Sequence, residues 1–368
     1  MTAPEIPFID LRPGEDDSAV RGAIDRVIAR GWFVLGPEVE AFEAEFAAAS
    51  HASHAVGVGT GTDAIALLLR AMSIGRGDEV IVPALTAAYT GLAVMLAGAT
   101  PVFADVDPER LTLDPAACDA AITPRTVAII PVHLYGQPAD MSALQALAER
   151  RSVALIEDCC QAHLAISDGV PVGTRSAGGA FSFYPTKNLG ALGDGGAVIT
   201  NDATIAERVR RLRNGGQTDR YIHVEAGANS RLDELQAAVL RARLPFLARW
   251  TSRRRSLAAA YRRALPETIR PLREHDAGHV YHLFVIRSPE RDALQSHLRA
   301  SGIETLIHYP VPLPDQPAFA GVRRGECPNA ARAARDILSL PLNPRLADAD
   351  VARISDAVGA FQKGRILA

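Results

Sequence analysis

Apolar positions along this chain change period several times, and each change marks an element. Val20, Ile24, Val27 and Ile28 recur at helical spacing, and after Pro37 so do Val39, Phe42 and Phe46. Residues 6–58 therefore read as mostly helical with a polar outer face. Short β-rich runs bounded by Pro, Gly and Asp follow at 79–83, 101–106, 127–132, 153–157, 180–183 and 197–200. Helical text separates some of them, as at Ile65, Leu68, Leu69 and Met72 and again over 142–151. Strands that are apolar throughout, with helices between them, belong to a sheet covered on both faces. The pattern predicts an α/β fold with a mainly parallel central sheet.

The second half keeps the alternation at lower density. A helix over 204–214 buries Ile205, Val209 and Leu212, turns four arginines outward and stops at Gly215-Gly216. A longer helical text runs through Leu235, Val239, Ala242 and Phe246, with Pro245 placed to kink it. Beyond it come a strand at 280–287, a helix at 291–300 closed by Gly302, a strand at 303–308 and helices near 330–338 and 350–361. Two units follow: a large α/β domain over 1–246 with a helical N-terminal segment, and a smaller C-terminal α/β domain over 247–368.

At 368 residues and 48% hydrophobic content the chain can build both cores. A formal charge of −3, with both signs dispersed, leaves no nucleic-acid footprint. The N-terminus has neither a positive n-region nor an apolar h-region, and no run reaches membrane-spanning length, so a cytoplasmic protein is expected. Cys118, Cys159, Cys160 and Cys327 show no CxxC spacing, which points away from a structural metal and from disulfides.

One count changes the picture more than these. Of 39 basic residues, all are arginine except Lys187 and Lys363. A lysine in the apolar, Gly-flanked segment 178–190 supplies what guanidinium cannot: an amine that deprotonates when burial disfavours its charge and then attacks a carbonyl. Lys363, in a polar tail, is an ordinary solvated lysine. Asp158 ends an apolar strand, where it either caps a helix or meets a buried cation. The Gly-rich strand-to-helix turn at 57–63 offers free backbone N–H groups to an anion, but lacks both GxGxxG and GxxxxGK[ST]. Ser182 alternates with Phe181 and Phe183 and faces away from them. His133, His163 and the Cys159-Cys160 pair read as core residues.

Taken in order, the Gly-Thr turn at 59–63, Glu157-Asp158 with Gln161-Ala162-His163, Ser182-Phe183-Tyr184-Pro185-Thr186-Lys187-Asn188-Leu189-Gly190, Gly193-Asp194-Gly195-Gly196 and Asn229-Ser230-Arg231-Leu232-Asp233-Glu234-Leu235-Gln236 resemble the DegT/DnrJ/EryC1/StrS family. That family comprises pyridoxal-phosphate-dependent sugar aminotransferases of the aspartate aminotransferase fold, and the resemblance covers nearly the whole chain. It implies that Lys187 carries pyridoxal 5'-phosphate as a Schiff base and moves the proton once displaced, the cofactor passing through its pyridoxamine 5'-phosphate form. Asp158 would pair with the pyridinium nitrogen and Gln161 would lie near the phenolic oxygen. Gly61, Thr62 and Ser182 would cradle the phosphate, which Asn229 would reach from the partner subunit of a homodimer.

The sequence departs from the family at two places. The aromatic residue that many members carry after the Thr of Pro83-Ala84-Leu85-Thr86 is Ala87 here; Tyr89 would substitute if the segment were extended. Cysteines stand at 159 and 160 where small residues are usual. The run Ile307-His308-Tyr309-Pro310 and the segment from Arg231 resemble members that aminate C3 of nucleotide-linked 3-keto-6-deoxyhexoses, with L-glutamate as donor, and make His308, Tyr309 and Arg231 candidate substrate residues. Rival readings are a C4 aminotransferase, a cyclitol or antibiotic-precursor aminotransferase, a sugar dehydratase, which Lys187 opposes, and a regulatory or binding protein.

Overall fold

Strands buried on both faces need apolar neighbours above and below, and the central sheet of this protein meets that need almost everywhere. In the computed structural model, which describes residues 5–366 and side chains up to 362, Glu79–Pro83 is wholly buried and lies parallel to Thr100–Ala104 on one side and to Thr126–Ile129 on the other. Residues 1–4 and the Lys363 side chain lie outside the described residues. Thr126–Ile129 pairs in parallel with Ala154–Leu155, and the chain runs on through Ile156 into Glu157–Asp158. Glu157–Asp158 pairs with Gly179–Ser182. Gly196–Thr200 and His54–Val58 complete the far edge. Both halves of the sheet thus share residues 154–158, and only Gly196–Thr200 runs against the others.

Helices cover the two faces. Gly61–Ala71 is buried at eight of its eleven positions and sits over Gly179–Ser182 and Gly196–Thr200. On the other face Phe42 and Phe46 of the helix Pro37–Ala49 meet Phe181 and Phe183 edge-on, with ring centroids 5.1–5.3 Å apart. Ser182, between those phenylalanines, points away as the alternation predicts. The segment after Thr86 differs from expectation: Ala88–Leu96 is a helix, with Ala87 the last extended residue. Tyr89 is therefore helical rather than extended, and its side chain is exposed.

Pro245 breaks the long helical text as anticipated: Glu234–Arg243 ends in a 3-10 turn at Leu244–Phe246 before Leu247–Ala264 begins. Past this helix an antiparallel sheet of Arg270–Pro271, Phe284–Arg287 and Ile337–Leu340 is backed by Arg291–Ala300 and Asp348–Ile366. The first half of the expected strand at 280–287 is absent because Tyr281 takes a left-handed φ of 47°. The expected strand at 303–308 is reduced to isolated bridges at Ile303 and Leu306. Ile303 pairs with Ile6, and Phe8 N–H donates to Glu304 at 2.9 Å. Ile6 is accordingly buried in the core formed by Leu257, Tyr261, Phe284 and Leu298.

Candidate active site

Parallel strands deliver their carboxyl ends to one edge of a sheet, and the polar residues singled out above gather there. Asp158 closes Glu157–Asp158, Ser182 closes Gly179–Ser182, and Lys187 follows five residues later. Asp158 is 4% exposed. One of its oxygens accepts the Thr90 hydroxyl at 2.8 Å and the other the Cys160 N–H at 3.0 Å. Each carboxylate oxygen offers two acceptor sites, so capacity remains on the cavity side. Asp158 accepts no N–H from a helix start, which removes the helix-cap reading.

Burial pushes the Lys187 ammonium below its ordinary range, against the pull of Cys160 and Asp158 in the other direction. An amine so placed is more readily neutral and nucleophilic. Four histidine or tyrosine groups stand around it without adding charge. Burial holds His163 at about 3 and His308 at about 4, and pushes His282 well down. Burial likewise raises the Tyr309 phenol, so it is a neutral hydrogen-bonding group. Gln161 is fixed by two contacts: its carbonyl accepts the Tyr135 N–H at 2.7 Å, which turns its amide toward the Tyr309 hydroxyl at 3.0 Å.

The Gly-Thr turn approaches the same point. Thr60 caps the helix Gly61–Ala71 through Asp63 N–H, and no acceptor engages the N–H groups of Gly61 and Thr62 among the described residues. A Cβ added at Gly61 would stand 2.7 Å from Ser182 Cβ and 2.8 Å from Cys160 Sγ. Only glycine lets the helix start come so close to Ser182, and the pair frames an anion site of backbone donors plus one hydroxyl. A depressed amine, a buried carboxylate and a turn of free backbone N–H groups beside a hydroxyl are the three parts pyridoxal 5'-phosphate requires, so the residues present fit it.

Some expected residues lie apart. Asn229 is exposed and pairs with Asn214. Its neighbour Ser230 ties the segment to the turn, donating to Asp63 at 2.8 Å and accepting Gly59 N–H at 2.9 Å. Arg231 donates to Asn214 at 3.1 Å. Thr90, His282 and Asn188 were missed by sequence reasoning; Thr90 sits in uniformly apolar helical text with no signal beyond its hydroxyl. His133, Glu157 and Cys159 place ligand-type atoms within 4.8 Å of one another. There, however, His133 Nδ1 accepts Ala139 N–H at 3.0 Å and Nε2 donates to Glu157 at 2.9 Å, so the ring has no lone pair for a metal.

A family model described as the DegT/DnrJ/EryC1/StrS aminotransferase family matches residues 15–359. The chain is 50% identical over 362 residues, 96% of each chain, to the dTDP-3-amino-3,4,6-trideoxy-alpha-D-glucose transaminase of Streptomyces venezuelae. It is 46% identical, covering 96% of this chain and 97% of the other, to the UDP-N-acetyl-3-dehydro-alpha-D-glucosamine 3-aminotransferase of Acidithiobacillus ferrooxidans. The crystal structure of S. venezuelae DesV in complex with a ketimine intermediate superposes with a TM-score of 0.94 at 49% identity, covering 98% of this chain and 99% of that one. No helix among the described residues is long and apolar enough to cross a membrane. Sequence, fold and site geometry converge, and the chain belongs to the DegT/DnrJ/EryC1/StrS aminotransferase family.

Proposed function

We propose that this protein is a pyridoxal 5'-phosphate-dependent aminotransferase that moves the amino group of L-glutamate to C3 of a nucleotide-linked 3-keto-6-deoxyhexose, as a homodimer in the cytoplasm. The observation that carries the reading is the half-buried Lys187, its amine depressed, beside the buried Asp158 at the carboxyl edge of the sheet, in a chain two of whose relatives are named as sugar 3-aminotransferases.

When bound, the cofactor supplies an electron sink that stabilises negative charge at the substrate carbon. The chain's own residues do the rest. Lys187 holds the cofactor and afterwards moves the proton. Asp158, aligned by Thr90 and Cys160 N–H, keeps a cationic ring nitrogen protonated. Gln161, turned by Tyr135, steadies Tyr309 against the phenolic side. The N–H groups of Gly61 and Thr62 with the Ser182 hydroxyl take the phosphate, and Asn229 reaches it from the partner subunit. Tyr89, exposed at the start of its helix, covers the ring in place of the absent aromatic at 87. His308, Tyr309 and Arg231 contact the sugar substrate.

Purified protein exposed to L-glutamate alone should lose the visible absorption of the lysine-bound cofactor, and a panel of nucleotide-linked 3-keto and 4-keto sugars should restore it only with 3-keto members. Retention of the band with every amino donor would overturn transamination. Restoration by 4-keto sugars alone would move the reaction to C4.

A further inference from the structure

His282 is a buried imidazole, 7% exposed, that takes no part in the roles given above, yet the chain fixes it from several sides. The backbone on either side of it is pinned to the large domain: Val280 N–H donates to the Gly136 carbonyl at 3.0 Å and Leu283 N–H to the Tyr135 carbonyl at 3.3 Å. Arg254 donates to the carbonyl of His282 itself at 3.4 Å. Gly136 has a left-handed φ of 89°, and a Cβ added there would stand 2.9 Å from His282 N, so the approach requires glycine.

The ring is anchored by Asn188, the buried neighbour of Lys187 in sequence. Asn188 Nδ2 donates to the Val280 carbonyl at 2.9 Å, which turns its Oδ1 toward His282 Nδ1 at 3.3 Å. An amide oxygen only accepts, so Nδ1 carries the proton and Nε2 of the neutral ring keeps its lone pair. Neutral it is, because burial holds the imidazole well below its ordinary range. Among the described residues no protein donor reaches Nε2. Lys187 is the charged group that bears most strongly on the ring, ahead of Arg254, although Arg254 touches the residue's own carbonyl. The other two histidines near the amine are engaged elsewhere. His163 Nε2 donates to the Ser182 carbonyl at 2.8 Å with its ring against Phe181 and Phe183, and His308 Nδ1 pairs with the Ser339 hydroxyl at 2.9 Å.

We propose that His282 is a positioning residue for Lys187: its Nε2 accepts an N–H of the lysine whenever the amine is free of the cofactor. A fixed acceptor keeps the released amine from rotating out of the site and turns its own lone pair away from the imidazole, toward the atoms between which it moves a proton. The imidazole stays neutral, so His282 orients the amine without taking its proton. The inference rests on the role of Lys187 given above. Asp158, Cys160, His163, His308 and Arg254 are the other titratable groups about the pair, and every His282 variant keeps them.

The test exploits the scarcity of lysine. Full-length cofactor-free protein made with lysine carrying carbon-13 at Cε has two labelled side chains, Lys187 and Lys363, and the resonance lost in Lys187→Arg reports the titration of Lys187. A neutral acceptor stabilises the ammonium, so His282→Leu should lower the Lys187 midpoint by about one pH unit. His282→Gln, whose side-chain oxygen reaches the place of Nε2, should hold the midpoint within about 0.3 unit of wild type. In holoenzyme the glutamate half-reaction, followed by loss of visible absorption, should slow about tenfold in His282→Leu and recover to within about threefold in His282→Gln. Should His282→Leu not fold, wild-type protein labelled with nitrogen-15 histidine decides: His282 should show the Nδ1–H form, and its Nε2 resonance should move on Lys187→Met. Equal midpoints in wild type and His282→Leu would overturn the proposal, as would equal losses in both His282 variants or an Nε2–H form of the ring. Failure of every amino donor on wild-type enzyme, with the His282-dependent midpoint retained, would instead remove the transaminase reading and leave the contact standing.

Discussion

Glu157 and Asp158 are consecutive, equally buried, and on opposite faces of the strand the two sheet halves share, yet their surroundings differ in kind. Glu157 is the more fully partnered: His133 Nε2, Gly173 N–H and the Ser176 hydroxyl donate to its two oxygens at 2.9, 2.7 and 2.9 Å. Asp158 receives two donors, one per oxygen, and faces the Lys187 loop. The first carboxylate takes three protein donors and stabilises the fold, whereas the second, with two, keeps more acceptor capacity for a cation that the protein does not itself provide. Burial alone thus does not mark a functional carboxylate; an incomplete set of partners does.

The open face breaks most completely at Lys187. Lys187→Arg keeps a cation of similar reach but removes the amine, and should abolish turnover and the visible cofactor band while circular dichroism stays native; normal turnover would disprove the covalent role. Asp158→Asn should cost about three orders of magnitude in turnover, ~4 kcal/mol, with cofactor retained, because a neutral amide cannot hold a pyridinium. An unchanged rate would make Asp158 structural like its neighbour. Glu157→Gln should do the reverse. It turns an amide N–H toward groups that already donate and should lower unfolding stability by about 3 kcal/mol in denaturant titration, with the turnover of folded protein unaffected.

The smallest effect concerns pH. The Lys187 pKa is lowered in the folded state, so the unfolded chain binds more protons between the two values and stability rises with pH there. Cofactor-free Lys187→Met should be more stable than cofactor-free wild type at pH 7, and the difference should shrink as pH approaches 10.5, the ordinary lysine value. A difference independent of pH would place the amine in solvent.

Much of this was legible beforehand, for identifiable reasons. The replacement of lysine by arginine almost everywhere made Lys187 visible, and runs such as 80–83, apolar at every position, could only be strands buried on both faces. Helix Arg291–Ala300 was readable to the residue because its apolar positions repeat on one face. Ala88–Leu96 was not, since small and apolar residues all round give no period, and Tyr89 was misplaced with it. The strand at 303–308 was overestimated because its partners are Ile6 and Ser339, far away in sequence, and the pairing amounts to single bridges. Arg254, buried in the helix Leu247–Ala264 and donating to the carbonyls of Leu342, Tyr281 and His282, drew no notice among 37 arginines, because that setting is a property of three dimensions.

The bridge from Ile6 to Ile303 has a consequence for the order of events during synthesis. Ile6 leaves the ribosome some 300 positions before its pairing partner Ile303, and at about 5–20 residues per second that interval is on the order of tens of seconds. For that time Ile6 lacks its strand partner and the Phe8 N–H its acceptor Glu304, in a segment that also lines a cavity through Ile9 to Arg12 beside Pro185 and Lys187. The wall that this segment supplies to the cavity is therefore completed late, and an extension fused ahead of Ile6 would act first on that wall.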